Sequence, residues 1–163
     1  MQEYKDFLFE LFKSGSDKTI ANSSDVHAAI LYSAMFNFAE KTICIFCRNL
    51  KQSVFCQLDV QQKAEAFLNK GGHLYIALQE EPQDSHFLRM ILQDNFAEKV
   101  KICKTGELFL RDGNSFNFST MDDRAYRLEP NRNETLAIAS AFDIDFTLKL
   151  KEIFRSVTKF QVV

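Results

Sequence analysis

Segments with helical periodicity and segments with strand periodicity alternate along the chain, and this order constrains the fold most strongly. Apolar residues recur every three or four positions in residues 4–12 and 26–38, whereas "KTICIFC" at 41–47 is continuously apolar and rich in strand formers. The alternation continues with a helical segment at 59–72, a strand at 73–79, a helical segment at 84–94 and a strand at 99–103. Helices that alternate with buried strands predict an α/β sandwich with parallel strand pairs.

Turn signals divide the C-terminal half into shorter strands. The Asp112-Gly113 pair lies between two alternating runs and predicts a hairpin, and "MDDR" at 121–124 predicts a second turn. A strand at 135–142 and a helix capped by Asp143 close the chain. We therefore expect a mixed, mainly parallel sheet sandwiched by helices, with a hairpin in the C-terminal half. We expect a single domain over residues 1–163, in which residues 1–22 form an N-terminal helix and a link.

Composition narrows the class of protein. The 163 residues are 46% hydrophobic and include 17 Phe, which is enough for a sizeable core. Lys and Arg number 20 against 22 Asp and Glu, so no overall positive field favours a nucleic acid or an anionic membrane. Charges interrupt the apolar residues of the N-terminus, which fits neither a secretory signal nor a membrane span. We expect a cytoplasmic protein with no membrane contact.

The cysteines and histidines have no spacing that favours a metal or redox site. Cys44 and Cys47 have the C-x-x-C spacing, but they fall in a predicted strand, where positions three apart point to opposite faces. His27, His73 and His86 include no pair four residues apart, and none stands two residues before a lysine. We expect structural, reduced cysteines, and we predict no metal and no cofactor.

The segment "SFNFSTMD" at 115–122 alternates polar and apolar residues in the strand period. Phe116 and Phe118 fall on one face, where we expect them to anchor the strand to the core, while Ser115 and Asn117 fall on the other. Local positive charge follows at Arg124, Arg127 and Arg132. Several carboxylates lie close to these arginines in sequence, so we expect the charge to be largely compensated.

Four segments together resemble the phospholipase D-like fold. They are "AFLNKGGHLYIAL", "KVKIC", "SFNFSTMD" and "RNETLAIASAFDIDFTLKLKEIF", in this order. In that family the segment in the third place carries the catalytic motif H-x-K-x4-D. The resemblance extends more loosely from Asp25 onward, and it implies the fold of that family.

The motif itself is altered. Ser115 stands at the histidine position, Asn117 at the lysine position and Asp122 at the aspartate position, while Asn133-Glu134 approximates the family's Asn-x-Glu. The resemblance implies a reaction in which histidine attacks phosphorus and shuttles a proton. Serine cannot do both near neutral pH without another base, and asparagine carries no charge. The resemblance therefore implies a degenerate member without catalytic residues.

Three hypotheses of function remain open. The first is a non-catalytic binding or regulatory module, such as an immunity protein that neutralises a toxin, with a basic protein partner. The second is a phosphodiesterase or nuclease with a non-standard active site, assembled across a homodimer, whose ingredients would be His73, Asp122, Glu134 and Arg127. The third is a nucleotide or nucleic-acid sensor that binds phosphate without cleaving it. The predicted remnant binding site comprises Ser115, Asn117, Asp122, Asn133, Glu134, Arg124 and Arg127.

Overall fold

A computed structural model describes residues 1–134 and 136–163. The α-helices are α1 (Gln2–Ser14), α2 (Asp25–Phe38), α3 (Gln52–Phe55), α4 (Leu58–Asn69), α5 (His86–Ile91) and α6 (Ile144–Thr158), and a 3₁₀ helix spans Asp94–Phe96. The strands are β1 (Thr19–Asn22), β2 (Thr42–Cys47), β3 (His73–Leu78), β4 (Val100–Lys104), β5 (Asn117–Met121), β6 (Ala125–Glu129) and β7 (Ala137–Ser140).

The strands form one mixed sheet in the order β1-β7-β6-β5-β2-β3-β4. Helical crossovers connect β2, β3 and β4, which are parallel to one another. The other neighbouring pairs are antiparallel. The prediction of a mixed α/β sheet is confirmed, but antiparallel pairs outnumber parallel ones in the described chain. One reason is that the segments connecting β5 to β6 and β6 to β7 are too short for the crossover that a parallel pair needs.

Helices cover both faces of the sheet. On one face, α1, α2, α4 and α5 pack over alternate residues of the central strands such as Ile43 and Ile45. On the other face, α6 places Leu150 and Phe154 against Phe118. The two faces explain why all six residues of β2 are buried and why its sequence is continuously apolar. Cys44 and Cys47 lie in opposite cores, as their strand positions predict.

Short-range signals predict the helix ends well. Gly15 ends α1 with a left-handed conformation, φ 65°. The side chains of Ser24, Ser85 and Asp143 accept hydrogen bonds from backbone N–H groups in the first turns of α2, α5 and α6. The burial of α2 does not follow the apolar period of residues 26–38 closely, since Val26 is 49% exposed and Leu31 is fully buried. α2 is buried on most sides because α1, α3 and α4 all contact it.

Two regions differ from the expected elements. The segment after α1, expected as a link, contains β1, which pairs with β7 at the edge of the sheet. The expected hairpin around Asp112-Gly113 is reduced to a turn with one isolated bridge between Phe109 and Ser115. The hairpin of the C-terminal half is instead formed by β5 and β6 around the predicted 121–124 turn. None of the described helices has the length and apolar character needed to cross a membrane.

Candidate ligand-binding cleft

One end of the sheet carries an open polar cleft of about 570 Å³. β5 runs antiparallel to both β2 and β6, so the amino end of β5 lies beside the carboxyl ends of its neighbours. This topology brings together Asn117, which begins β5, Arg48, which follows β2, and Glu129, which ends β6. Residues of α2 and of the segment 47–55 complete this side of the lining.

Asn117 lies on the floor of the cleft and is held from three sides. Its Oδ1 accepts hydrogen bonds from the backbone N–H of Arg48 at 3.1 Å and from Nε2 of Gln79 at 3.2 Å. Its Nδ2 donates to Oε2 of Glu129 at 2.7 Å. The residue is only 8% exposed, so these bonds fix its orientation. The amide therefore organises the floor and carries no charge.

Arg127 and Glu129 form a buried ion pair beside Asn117. They are two residues apart on β6 and project from the same face of the sheet. The Arg127 side chain is 8% exposed and that of Glu129 is 15% exposed, and their closest contact, Nη2 to Oε1, is loose at 3.5 Å. Nε of Arg127 donates to Oδ1 of Asn22 at 3.2 Å, and its guanidinium lies 5.9 Å from the ring centre of Tyr32. Such neighbours are what a buried arginine requires.

Three further ion pairs surround the cleft. Arg48 Nε lies 2.5 Å from Glu80 Oε1, and Lys51 Nζ lies 2.7 Å from Asp25 Oδ1. Arg132 pairs with Glu107 and donates through Nη1 to Gln79 Oε1 at 2.6 Å.

Asp25 remains ionised in this setting. Burial raises the pKa of the Asp25 carboxyl, but hydrogen bonds from Lys51 and Ser53 and the nearby positive charges together hold it below its usual value. The cleft therefore combines both signs of charge at close range.

Two other titratable groups of the lining, Cys47 and Tyr32, are held in their neutral forms. Burial raises the pKa of the Cys47 thiol to about 12 and that of the Tyr32 hydroxyl to about 12. A protonated thiol is a poor nucleophile, so Cys47 contributes to the wall rather than to chemistry. Tyr32 instead shares a buried 2.7 Å hydrogen bond with the hydroxyl of Ser119.

The histidines lie away from the described lining of the cleft. His27 stacks against Tyr4 with ring centres 4.2 Å apart, and Nδ1 of His86 contacts Gln61 at 2.5 Å. His73 begins β3, at the opposite end of the sheet. The described residues also contain no group of three or more His, Cys, Asp or Glu side chains arranged to hold a metal ion.

The structure brings some of the predicted site residues together. Asn117, Arg127, Asn133 and Glu134 all line the cleft. Ser115 lies just before β5 and is 6% exposed. Its carbonyl accepts the backbone N–H of Arg132 at 2.9 Å, but its side chain is outside the lining.

Asp122 and Arg124 lie at the opposite end of the sheet. The Asp122 carboxylate accepts the backbone N–H groups of Glu40, Lys41 and Thr42 at 2.8–2.9 Å. The Arg124 guanidinium donates to carbonyls at the ends of α1 and α2. Both side chains tie the start of β2 and the helices to the β5–β6 turn. Asn117 begins the five-residue strand β5 and Asp122 follows its other end, so the two residues cannot share a ligand.

The same separation divides the residues considered for a non-standard active site. His73 and Asp122 flank Thr42 at the start of β2, whereas Arg127 and Glu134 line the cleft beyond its end. Within one chain these four residues do not form a cluster.

Sequence reasoning missed several residues of the cleft. Glu129, Asn22, Arg48 and Lys51 contact the floor or line the walls. The "RLE" triplet at 127–129 carried a usable signal, because in a strand residues 127 and 129 share a face. Asn22 had no such signal, since it lies on the short strand that was expected to be a link.

Comparisons with known proteins agree on the fold. No family model and no curated protein matches the chain. Among solved structures, NucT from Helicobacter pylori is 14% identical with a TM-score of 0.62, covering 87% of this chain and 96% of that one. Nuc from Salmonella typhimurium, a phospholipase D family member, is 11% identical with a TM-score of 0.59, covering 85% and 92%.

A third neighbour is TrmBL2, an archaeal chromatin protein. It is 12% identical with a TM-score of 0.59, and the match covers 95% of this chain and 60% of that one. At these identities the likeness concerns architecture. The architecture agrees with the resemblance seen in the four sequence segments, and the chain therefore has the phospholipase D-like fold.

Proposed function

We propose that this protein is a non-catalytic phospholipase D-like module that binds a ligand in the cleft. The observation that carries the proposal is the state of Asn117. At the position that the resemblance assigns to a catalytic lysine, an uncharged amide is buried and bonded to Arg48, Gln79 and Glu129. An amide in this state stabilises the floor of a pocket but supplies neither positive charge nor a proton.

The remaining chemistry of the cleft supports the same proposal. The described lining contains no histidine, and burial keeps Cys47 and Tyr32 protonated. Phosphodiester cleavage needs a nucleophile with a base in hydrogen-bonding reach, and the described lining offers no such pair among these groups. Carboxylates are present, but Asp25 and Glu129 are ion-paired, and Glu134 accepts a hydrogen bond from Nδ2 of Asn131.

One of the structural neighbours fits a binding role. TrmBL2, which is described as a chromatin protein with a novel mode of DNA binding, contains a region that matches 95% of this chain. A domain with this fold is thus found in a protein that is described as DNA-binding. This likeness supports binding in general and does not identify the ligand here.

The test is an assay for hydrolysis. The purified protein is incubated with bis(p-nitrophenyl) phosphate and with single-stranded DNA, with and without Mg²⁺, beside an Arg127→Ala variant and an exposed-site control, Glu81→Gln. We expect no release of product above the level of the two variants. The nuclease alternative would be established instead if hydrolytic activity co-purifies with the protein, persists in Glu81→Gln and disappears in Arg127→Ala.

A regulatory role with a protein partner, including the immunity role, has separate support. Ile144 and Leu148 are one turn apart on α6, and they are 43% and 41% exposed, next to Phe142, which is 40% exposed. Exposed apolar side chains that are close together are common at protein interfaces. The test is co-purification of a stoichiometric partner that is lost with Leu148→Asp and kept with the exposed-site control Lys149→Asp.

A further inference from the structure

Every cation of the cleft has a carboxylate partner among the described residues. Arg48 pairs with Glu80, Lys51 with Asp25, Arg127 with Glu129 and Arg132 with Glu107. Glu134 adds another carboxylate to the lining. With Glu80 and Glu107, which lie outside the lining, five carboxylates face the four cations. A phosphate group entering this cleft would therefore bring negative charge close to Asp25, Glu129 and Glu134 without meeting a surplus of positive charge. The charge distribution therefore favours a ligand without net charge.

The floor offers a hydrogen-bond donor and an acceptor side by side. Arg127 and Glu129 touch each other only at 3.5 Å, and other residues hold each of them in place. Asn22 accepts from Nε of Arg127, and Asn117 donates to Oε2 of Glu129. Nη2 of Arg127 donates to Glu129, so the remaining lone pairs of the carboxylate and Nη1 of the guanidinium are the atoms that can meet a ligand without rearrangement.

One wall of the cleft is apolar. It is formed by Ala28 and Tyr32 of α2 and by Leu50, Val54 and Phe55, each of which is at most 7% exposed, and the Tyr32 ring lies directly beside Arg127. The Tyr32 and Phe55 rings lie 4.7 Å apart between centres, which makes the wall rigid. A cavity of about 570 Å³ is within the usual range for small-molecule sites. The cleft thus suits a flat ligand with apolar faces and one polar edge.

We propose, building on the binding function above, that the cleft binds an uncharged heterocycle that presents N–H donors next to a carbonyl acceptor on one edge. The guanine edge has this arrangement. Its N1–H and N2–H groups would donate to the Glu129 carboxylate, and its O6 would accept from the Arg127 guanidinium. The ring would lie against the Tyr32 and Phe55 wall. A nucleoside rather than a nucleotide is the matching probe, because the described lining of the cleft has no unpaired cation for a phosphate.

The experiment compares ligands by isothermal titration calorimetry on the intact protein. We expect guanosine to bind, and adenosine, whose edge has an acceptor where guanine has N1–H, to bind at least about tenfold more weakly. We expect guanosine 5′-monophosphate to bind no more than about threefold more tightly than guanosine. Equal binding of adenosine, or a gain of about tenfold or more from the phosphate, would overturn the proposal. Absence of guanosine binding, or tighter binding of leucine as a zwitterionic probe, would overturn it too.

A matched pair of variants tests the assigned contacts. Glu129→Gln removes the charge of the acceptor with little change of shape and should weaken guanosine binding about 10- to 100-fold. Glu81→Gln makes the same change at a side chain that is 77% exposed and lies outside the lining, and should leave binding unchanged. Unchanged affinity in a folded Glu129→Gln variant would refute the assignment. If that variant does not fold, the proposal is still tested by comparing guanosine, adenosine and guanosine 5′-monophosphate on the unmodified protein.

The two proposals fail in different ways. Hydrolysis of a phosphodiester would refute the non-catalytic function whatever guanosine does. If the protein hydrolyses no phosphodiester, does not bind guanosine and binds inorganic phosphate, the binding function stands and the proposed class of ligand is refuted.

Discussion

Replacing Asp122 with alanine should destabilise the protein and leave the cleft intact. The carboxylate accepts three backbone N–H groups at 2.9, 2.8 and 2.9 Å. Thr42 is 1% exposed, and a lost hydrogen bond from its N–H to a charged acceptor costs about 2 kcal/mol. Glu40 and Lys41 are exposed, so water replaces the acceptor there at a cost of about 0.5 kcal/mol each. The expected loss in the free energy of unfolding is about 3 kcal/mol.

Urea unfolding and thermal melting measure this loss. A chain of this length should lose about 9 °C in Tm for about 3 kcal/mol. Asp122→Asn keeps one acceptor oxygen and tolerates the positive φ of 51° at this position, so it should lose about half as much. Asp17→Ala, at an exposed position, is the matched control and should change little. A loss below about 1 kcal/mol in Asp122→Ala, or an intact fold with abolished ligand binding, would refute the structural role of Asp122.

Three further predictions concern the core and its titration. The folded-state pKa of Cys47, raised by burial to about 12, exceeds the ordinary value of 9.0, so the stability that it contributes is complete below pH 9. That stability should fall as pH rises from 9 towards 12, and urea midpoints between pH 8 and 11 should decline less in Cys47→Ala. Phe118→Ala removes a 1% exposed ring that stacks on Phe46 and should cost about 3–5 kcal/mol in urea unfolding. Gly72→Ala would overlap the Phe67 ring and should lower Tm by an amount equivalent to about 1–3 kcal/mol, whereas an unchanged Tm would show that the ring can move.

The parts of the fold that the sequence predicts depend on interactions between near neighbours. Ser24, Ser85 and Asp143 cap helices through bonds to N–H groups three residues away. The continuously apolar β2 and β3 reflect burial on both faces. These features can be predicted without the rest of the chain, because each depends on residues only a few positions away in the sequence.

The parts that the sequence does not predict depend on distant partners. The four residues "TIAN" of β1 are too short to show a period, and they become a strand because β7, more than one hundred residues later, supplies the hydrogen bonds. The proportion of antiparallel pairs likewise follows from which strands become neighbours. Neither property can be predicted from the pattern of neighbouring residues.

The candidate site divides in the same way. The sequence by itself predicts, through its resemblance to the phospholipase D-like fold, that Ser115 and Asn117 stand at the positions of the motif's histidine and lysine. Only the tertiary structure decided that Asn117, Arg127 and Glu129 share a cleft with Asn22, while Asp122 and Arg124 lie at the far end of the sheet. The physical reason is that strand direction and sheet order, which are set by long-range pairing, determine which end of each strand meets which neighbour.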